Sequence, residues 1–270
     1  MKFVIGFIVF YMLLVSFLFV KQRSLIYFPD NSKPVAVEGI EIVNVTTKDN
    51  VTLEAWYIPP KIEDRQIILL FHGNAGNHSH RMSKILDYLG AGYGVLLAEY
   101  RGYAGNGGEI SEQGFYKDGR AYIEWLSSEK RVNSSRIVLY GESIGSGVAT
   151  QMAVEYDVAG LILEAPFSSL LEFVGNKYFY VPVSLLLKDR FMNIDKISQI
   201  NTSLLIMHGL KDEVIPFNLS EKLFKSAKDF KRLVDFPEGK HNNLYSFGAS
   251  THVLNFLTGI NSDNEHNISE

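Results

Sequence analysis

R-I-V-L-Y-G-E-S-I-G-S-G-V-A, residues Arg136 to Ala149, decides the fold. Ile137 to Tyr140 is a short run of β-branched, aliphatic and aromatic residues, which suits a buried strand. It stops at Gly141, and a segment rich in small residues begins at Ile144, which suits a helix packed closely on that strand. Ser143 therefore sits on the turn between strand and helix, flanked by Gly141 and Gly145 in the spacing G-x-S-x-G. A turn this sharp strains the serine backbone, and a side chain at either glycine would clash across it. The hydroxyl is lifted clear of the sheet. The amide of Ile144 falls at a helix N-terminus, where unpaired N–H groups and the helix dipole favour negative charge.

Outward from this stretch, strands and helices alternate. Ile67 to Phe71, Val95 to Ala98, Leu161 to Leu163, Leu204 to Met207 and Leu233 to Phe236 read as strands. Helical spacing marks His80 to Leu89, Ser111 to Leu126, a segment from about Leu219, and a last helix to Leu257. Such alternation implies an α/β fold with a mostly parallel central sheet and helices on both faces. Before it, Glu41 to Thr47 and Val51 to Ile58 alternate around the turn sequence Lys48-Asp49-Asn50, as in a hairpin. Thr258 to Glu270 is polar and is expected to fray.

Phe3 to Val20 carries no charge and is bracketed by Lys2, Lys21 and Arg23. As a helix it would span ~27 Å, close to the hydrocarbon thickness of a bilayer. It is too long for a signal-peptide core, and no small-x-small pattern precedes Lys21, so it reads as a single-pass membrane anchor. Ser24 to Phe28 is an apolar segment that either packs on the domain or lies in the membrane interface. The domain reading is thus an anchor over 1–23, an α/β domain over 24–258 with a short lid insertion at about 167–200, and a polar tail over 259–270. The 270 residues carry a net charge of −4, which leaves no basic footprint for nucleic acid. The absence of cysteine excludes disulfides, thiolate zinc sites and a cysteine nucleophile.

Sites in open α/β sheets collect at the C-terminal ends of strands. Phe71 to Asn77 (F-H-G-N-A-G-N) turns there, and the Asn74 amide can point into the same space as that of Ile144, giving a two-donor oxyanion hole. The turn lacks the G-K-[ST] ending of a phosphate loop. His72 abuts its strand and reads as structural. Asp212 follows the strand in L-L-I-M-H-G-L-K-D, and His241 precedes the last helix in P-E-G-K-H-N-N. The order Ser143, Asp212, His241 places nucleophile, acid and base each after its own strand. Glu164 and Glu213 are rival positions for the acid. Arg101, in E-Y-R-G-Y, reads as a tie between loops beneath the site, with a contact to a substrate carboxylate as the alternative. The chemistry of such a set needs no metal and no organic cofactor.

These motifs together resemble the α/β-hydrolase superfamily of serine hydrolases. More narrowly, the chain is similar to a small membrane-anchored branch that includes lysophospholipid lipases and protein acyl-thioesterases. The resemblance runs through Q-R-S-L-I-Y-F-P at Gln22 to Pro29, H-G-N-A-G-N, A-E-Y-R-G-Y, G-E-S-I-G-S-G, E-A-P-F at Glu164 to Phe167, and H-G-L-K-D-E-V-I-P to His241. It implies the α/β-hydrolase fold, a triad at Ser143, Asp212 and His241, and oxyanion donors at Ile144 and Asn74. Acylated cysteines attach some members to membranes; with none here, the hydrophobic segment must serve. The expected activity is hydrolysis of carboxylic esters or thioesters, with a small-molecule or lipid acyl substrate reached at the membrane. Acyl transfer, peptide cleavage and binding by a catalytically dead site are the competing readings.

Overall fold

The computed structural model describes residues 1–63 and 65–268, the last eight of these by backbone alone. Eight strands form the central sheet: β1 (Glu41–Thr46), β2 (Thr52–Ile58), β3 (Ile67–Phe71), β4 (Gly94–Ala98), β5 (Ile137–Glu142), β6 (Gly160–Glu164), β7 (Leu204–Gly209) and β8 (Lys231–Phe236). Their order across the sheet is β8-β7-β6-β5-β3-β4-β2-β1. β2 is antiparallel to both its neighbours, and the remaining pairings are parallel. Crossover helices must connect parallel neighbours, so both faces of the sheet are covered.

The helices are α1 (Lys2–Ile26), α2 (Met82–Gly90), α3 (Glu112–Glu129), α4 (Gly145–Glu155), α5 (Leu170–Lys177), α6 (Val183–Leu186), α7 (Phe217–Ser226) and α8 (Ala249–Ile268). Alternation along the strands divides the core in two. Leu69, Phe71, Ile137 and Leu139 pack with Tyr122 of α3, Val148 of α4 and Leu223 of α7. Ile68, Leu70, Val138 and Tyr140 pack with Ile85 of α2 and Val253 of α8 on the other face. Ser111 caps α3 by accepting from the Gly114 amide at 3.0 Å, which fixes where that helix begins.

Two boundaries differ from the sequence reading. The helix expected from His80 starts later: Asn77 caps a 3-10 turn over His78–Arg81, and α2 begins only at Met82. At the other end α8 continues to Ile268, through most of the stretch expected to fray. Once Leu257 and Ile260 have fixed a helix on the core, each further residue adds a backbone hydrogen bond without needing a buried side chain. Residues 269 and 270 lie outside the described residues.

The insertion after β6 divides its apolar side chains. Phe167, Leu170, Leu187 and Phe191 are buried in the core, whereas α5 and α6 stand over the C-terminal edge of the sheet. They are joined there to the end of α1. The Gln22 side-chain amide donates to the Leu186 carbonyl at 3.1 Å and accepts from the Lys188 amide at 2.8 Å. Arg23 pairs with the buried Asp189 at 2.9 Å. The Asn74 side chain, in turn, donates to the carbonyl of Ile26. The last turns of α1 are thus built into the domain. The N-terminal part of α1 is mostly exposed, and the helix is long and apolar enough to cross a membrane.

Candidate active site

Ser143 follows β5 with φ +52°, a left-handed conformation uncommon for a residue with a β-carbon. Two neighbours hold it there. Its amide donates to the Glu164 carbonyl at 2.9 Å, and its own carbonyl accepts from the Ser146 amide at 3.0 Å. α4 then departs so close to β3 that a Cβ on Gly145 would lie 2.2 Å from the Phe71 carbonyl oxygen. Only a glycine allows this approach, and the approach seats the Gly73–Asn74 turn beside the serine. A Cβ on Gly73 would lie 3.5 Å from that of Ser143. The amides of Asn74 and Ile144 donate to no protein acceptor among the described residues, and both residues line the same cavity as Ser143.

Backbone contact also brings the two other loops together. Gly209, at the end of β7, faces Gly239 so closely that a Cβ would meet the Gly239 carbonyl oxygen at 2.2 Å. The Lys211 amide donates to that carbonyl at 2.9 Å. Asp212 and His241 therefore meet although 29 residues separate them: His241 Nδ1 lies 2.7 Å from Asp212 Oδ2. His241 Nε2 lies 3.1 Å from Ser143 Oγ. Asn74, Ser143, Ile144 and His241 thus line one cavity, and Asp212 reaches it through His241. Of the rival acids, Glu164 is occupied by Lys84 and Tyr140, and Glu213 is exposed.

Asp212 is held by four donors. Oδ1 accepts from the amides of Val214 and Ile215, each at 2.8 Å, and Oδ2 also lies 3.1 Å from Nε2 of the buried His208. Burial pushes its pKa up, but hydrogen bonds from His208 and His241 outweigh this and hold the carboxyl below its ordinary range. An anion fixed in this way orients the His241 ring and stabilises a proton on it. His208 sits four residues before Asp212 in H-G-L-K-D, a proximity visible in the sequence once the turn is known.

A second group, unforeseen from the sequence, lies against Ser143. Glu142 pairs with Arg81 and Lys84, both at 2.7 Å, and Lys84 also reaches Glu164 at 2.6 Å. Burial alone would raise the Glu142 pKa; the two cations lower it overall. Arg81 and Lys84 stand three residues apart, on one helical face, which was the available signal. Tyr140 donates to Glu164 at 2.5 Å, and its hydroxyl meets that of Tyr245 at 2.9 Å. This balanced cluster lies beside Ser143 on the wall of the same cavity.

Two residues read as structural are so. His72 is fully buried between the Gly73 carbonyl and Glu99, each at 2.7 Å. Arg101 joins Asp118 of α3 to Asp49 in the hairpin turn, at 2.8 and 2.9 Å. The site opens into a cavity of about 1130 Å³. Its polar end holds Ser143, His241 and the Arg81–Glu142 cluster; its apolar walls come from α5, α6 and, unexpectedly, α1 through Leu18, Phe19 and Leu25.

Comparison with known proteins agrees with this architecture. A family described as serine aminopeptidase, S33, matches residues 62–188. An uncharacterized protein of Mycobacterium tuberculosis is 38% identical over 235 residues, covering 85% of this chain and 83% of the relative. The α/β hydrolase domain-containing protein WAV2 of Arabidopsis thaliana is 29% identical over 269 residues, covering 89% and 86%. Among solved structures, the esterase Pf2001 of Pyrococcus furiosus superposes with a TM-score of 0.70 at 21% identity, covering 86% of this chain and 98% of its own. The shared sequence over most of both chains, and the shared fold, make this chain a member of the α/β-hydrolase family of serine hydrolases.

Proposed function

We propose that the protein is a membrane-anchored serine hydrolase that cleaves carboxylic esters or thioesters bearing an acyl chain. The observation that carries this reading is the hydrogen-bonded series Asp212, His241, Ser143, opening directly into a large cavity with apolar walls. Ser143 Oγ attacks the acyl carbonyl carbon while its proton passes to His241 Nε2. The oxyanion that forms is met by the amides of Ile144 and Asn74. Collapse breaks the bond to the leaving alcohol or thiol, which takes the proton back from His241. Water, deprotonated by the same histidine, then attacks the acyl-enzyme and releases the fatty acid and free Ser143. The cap formed by α5 and α6 shelters the acyl chain, and α1 holds the protein at the bilayer.

The peptidase reading that the matched family's description invites has less support. An aminopeptidase must hold a free ammonium group with an unmatched carboxylate, but Glu142 and Glu164 on the cavity wall are already paired with Arg81 and Lys84. A fluorophosphonate probe tests the assignment. It should label the purified full chain, and Ser143→Ala should abolish labelling while the circular dichroism spectrum and melting temperature stay unchanged. Equal labelling of the folded Ser143→Ala protein would end this reading.

A further inference from the structure

The cap and the anchor helix also touch nearer the N-terminus of α1. The Tyr11 hydroxyl, in the middle of the uncharged stretch of α1, donates to the Tyr180 carbonyl at 2.8 Å. Lys21 is the first charged residue beyond that stretch, ten residues further on, so the contact lies ~15 Å down the helix axis from it. Half the hydrocarbon thickness of a bilayer is also ~15 Å. Even with α1 tilted by ~40°, the large end of the usual range, the contact stays ~11 Å below Lys21. A protein tip fixed to α1 at that depth is inside the leaflet whenever α1 spans it.

The chemistry of the tip agrees with such a place. Phe179 is 85% exposed and Leu185 80% exposed, with Tyr180 beside them at 52%. Large apolar side chains this open to solvent have no gain from burial unless something apolar covers them. Part of the tip's backbone is paired from within: Tyr178 N donates to Val174 O at 2.9 Å, Val181 N to Tyr178 O at 2.9 Å, and Leu185 N to Pro182 O at 3.0 Å. Tyr11 adds the hydrogen bond to Tyr180 that hydrocarbon could not supply. The same seam between α1 and the cap lines the cavity that holds Ser143, through Leu18, Phe19, Tyr178 and Leu186.

We propose that the tip of the cap, residues 178–186, is immersed in the leaflet on the catalytic side, with Phe179 and Leu185 among the lipid acyl chains. The occupant of this apolar surface is the bilayer itself, and an acyl chain passes along the α1–cap seam to the serine without crossing water. The inference rests on reading α1 as a membrane anchor, and the experiment separates the two. The chain has no cysteine, so single substitutions take one label each. Phe179→Cys, Leu185→Cys, Phe7→Cys on α1 and Glu238→Cys, an exposed polar control, are labelled with bimane in the full chain. Each is reconstituted in phosphatidylcholine nanodiscs carrying nitroxide-labelled acyl chains. The expected result is several-fold stronger quenching at Phe179, Leu185 and Phe7 than at Glu238. Quenching at Phe7 with none at Phe179 and Leu185 overturns the proposal and leaves the anchor standing; none at any of the three overturns both. Labels at Phe179 and Leu185 shielded from both nitroxide and aqueous iodide would mean that a second copy covers the tip, and this too overturns the proposal. Either cap label alone suffices if the other variant does not fold.

Discussion

Acyl-chain length is the sharpest test of the cavity. From acetyl to octanoyl the substrate gains six methylenes, and each one moved from water to an apolar wall contributes about 0.8 kcal/mol. Full burial would therefore raise kcat/KM by a ceiling of about 3000-fold, and half burial by roughly 50-fold. The cavity of about 1130 Å³ is large enough for such a chain, since small-molecule sites commonly occupy about 300–1,000 Å³. Phe173 and Val174 of α5 line its apolar part. Phe173→Asn or Val174→Asn brings an amide that keeps water at the wall, and each should cut the gain at octanoyl by about ten-fold while leaving acetyl hydrolysis within about two-fold of wild type. The assay compares kcat/KM for monomeric p-nitrophenyl esters or acyl thioesters, below their critical micelle concentrations and at one fixed detergent concentration. A steady fall beyond butyryl in the wild type would refute an acyl-chain pocket and point to a small polar ester.

Three further outcomes follow from the geometry. Asp212→Asn should lower kcat by about 10⁴-fold with KM little changed, because the His241 ring loses its anionic partner, while Glu164→Gln should keep most of the turnover; steady-state kinetics on both variants decides whether the acid is assigned correctly. Gly145→Ala forces a methyl group to within 2.2 Å of the Phe71 carbonyl oxygen, and backbone cannot move aside as a side chain can. It should destabilise the fold by about 2–3 kcal/mol, lowering Tm by roughly 5 °C or more in differential scanning calorimetry. Glu99 would be raised by its burial, but His72 and His78 hold its pKa below the ordinary 4.5. The unfolded chain then binds a proton that the folded protein refuses as pH falls through about 4.5, so stability present above that pH is lost below it. Glu99→Gln should accordingly be less stable at pH 7 yet show a shallower fall of Tm between about pH 5 and 3, and an unchanged slope would count against the buried His–Glu–His contact.

How much of this was written in the chain depends on the range of the forces involved. Strands β3 to β7 were legible because burial on both faces demands unbroken apolar runs, and the turn at Ser143 because a left-handed serine beside a crowded backbone tolerates only glycine next to it. Ser143 was singled out by its glycine-flanked turn, and Asp212 and His241 by their order after it, since the alternation of strands and helices fixes which loops share an edge of the sheet. Glu164 stayed in contention as the acid until the fold gave its carboxylate to Lys84 and Tyr140. The charge cluster beside the serine joins Arg81 and Lys84 to carboxylates of β5 and β6, and no local pattern announces a contact across 80 positions, such as that between Lys84 and Glu164. The same holds for α1. Its composition marks it as long and apolar enough for a membrane, a property of one helix in isolation. That its last turns wall the cavity, and that Tyr11 reaches the carbonyl of Tyr180, depends on packing between segments 169 residues apart. Only the tertiary structure could decide that, because side chains distant in sequence meet only where the rest of the fold offsets the chain entropy lost in bringing them together.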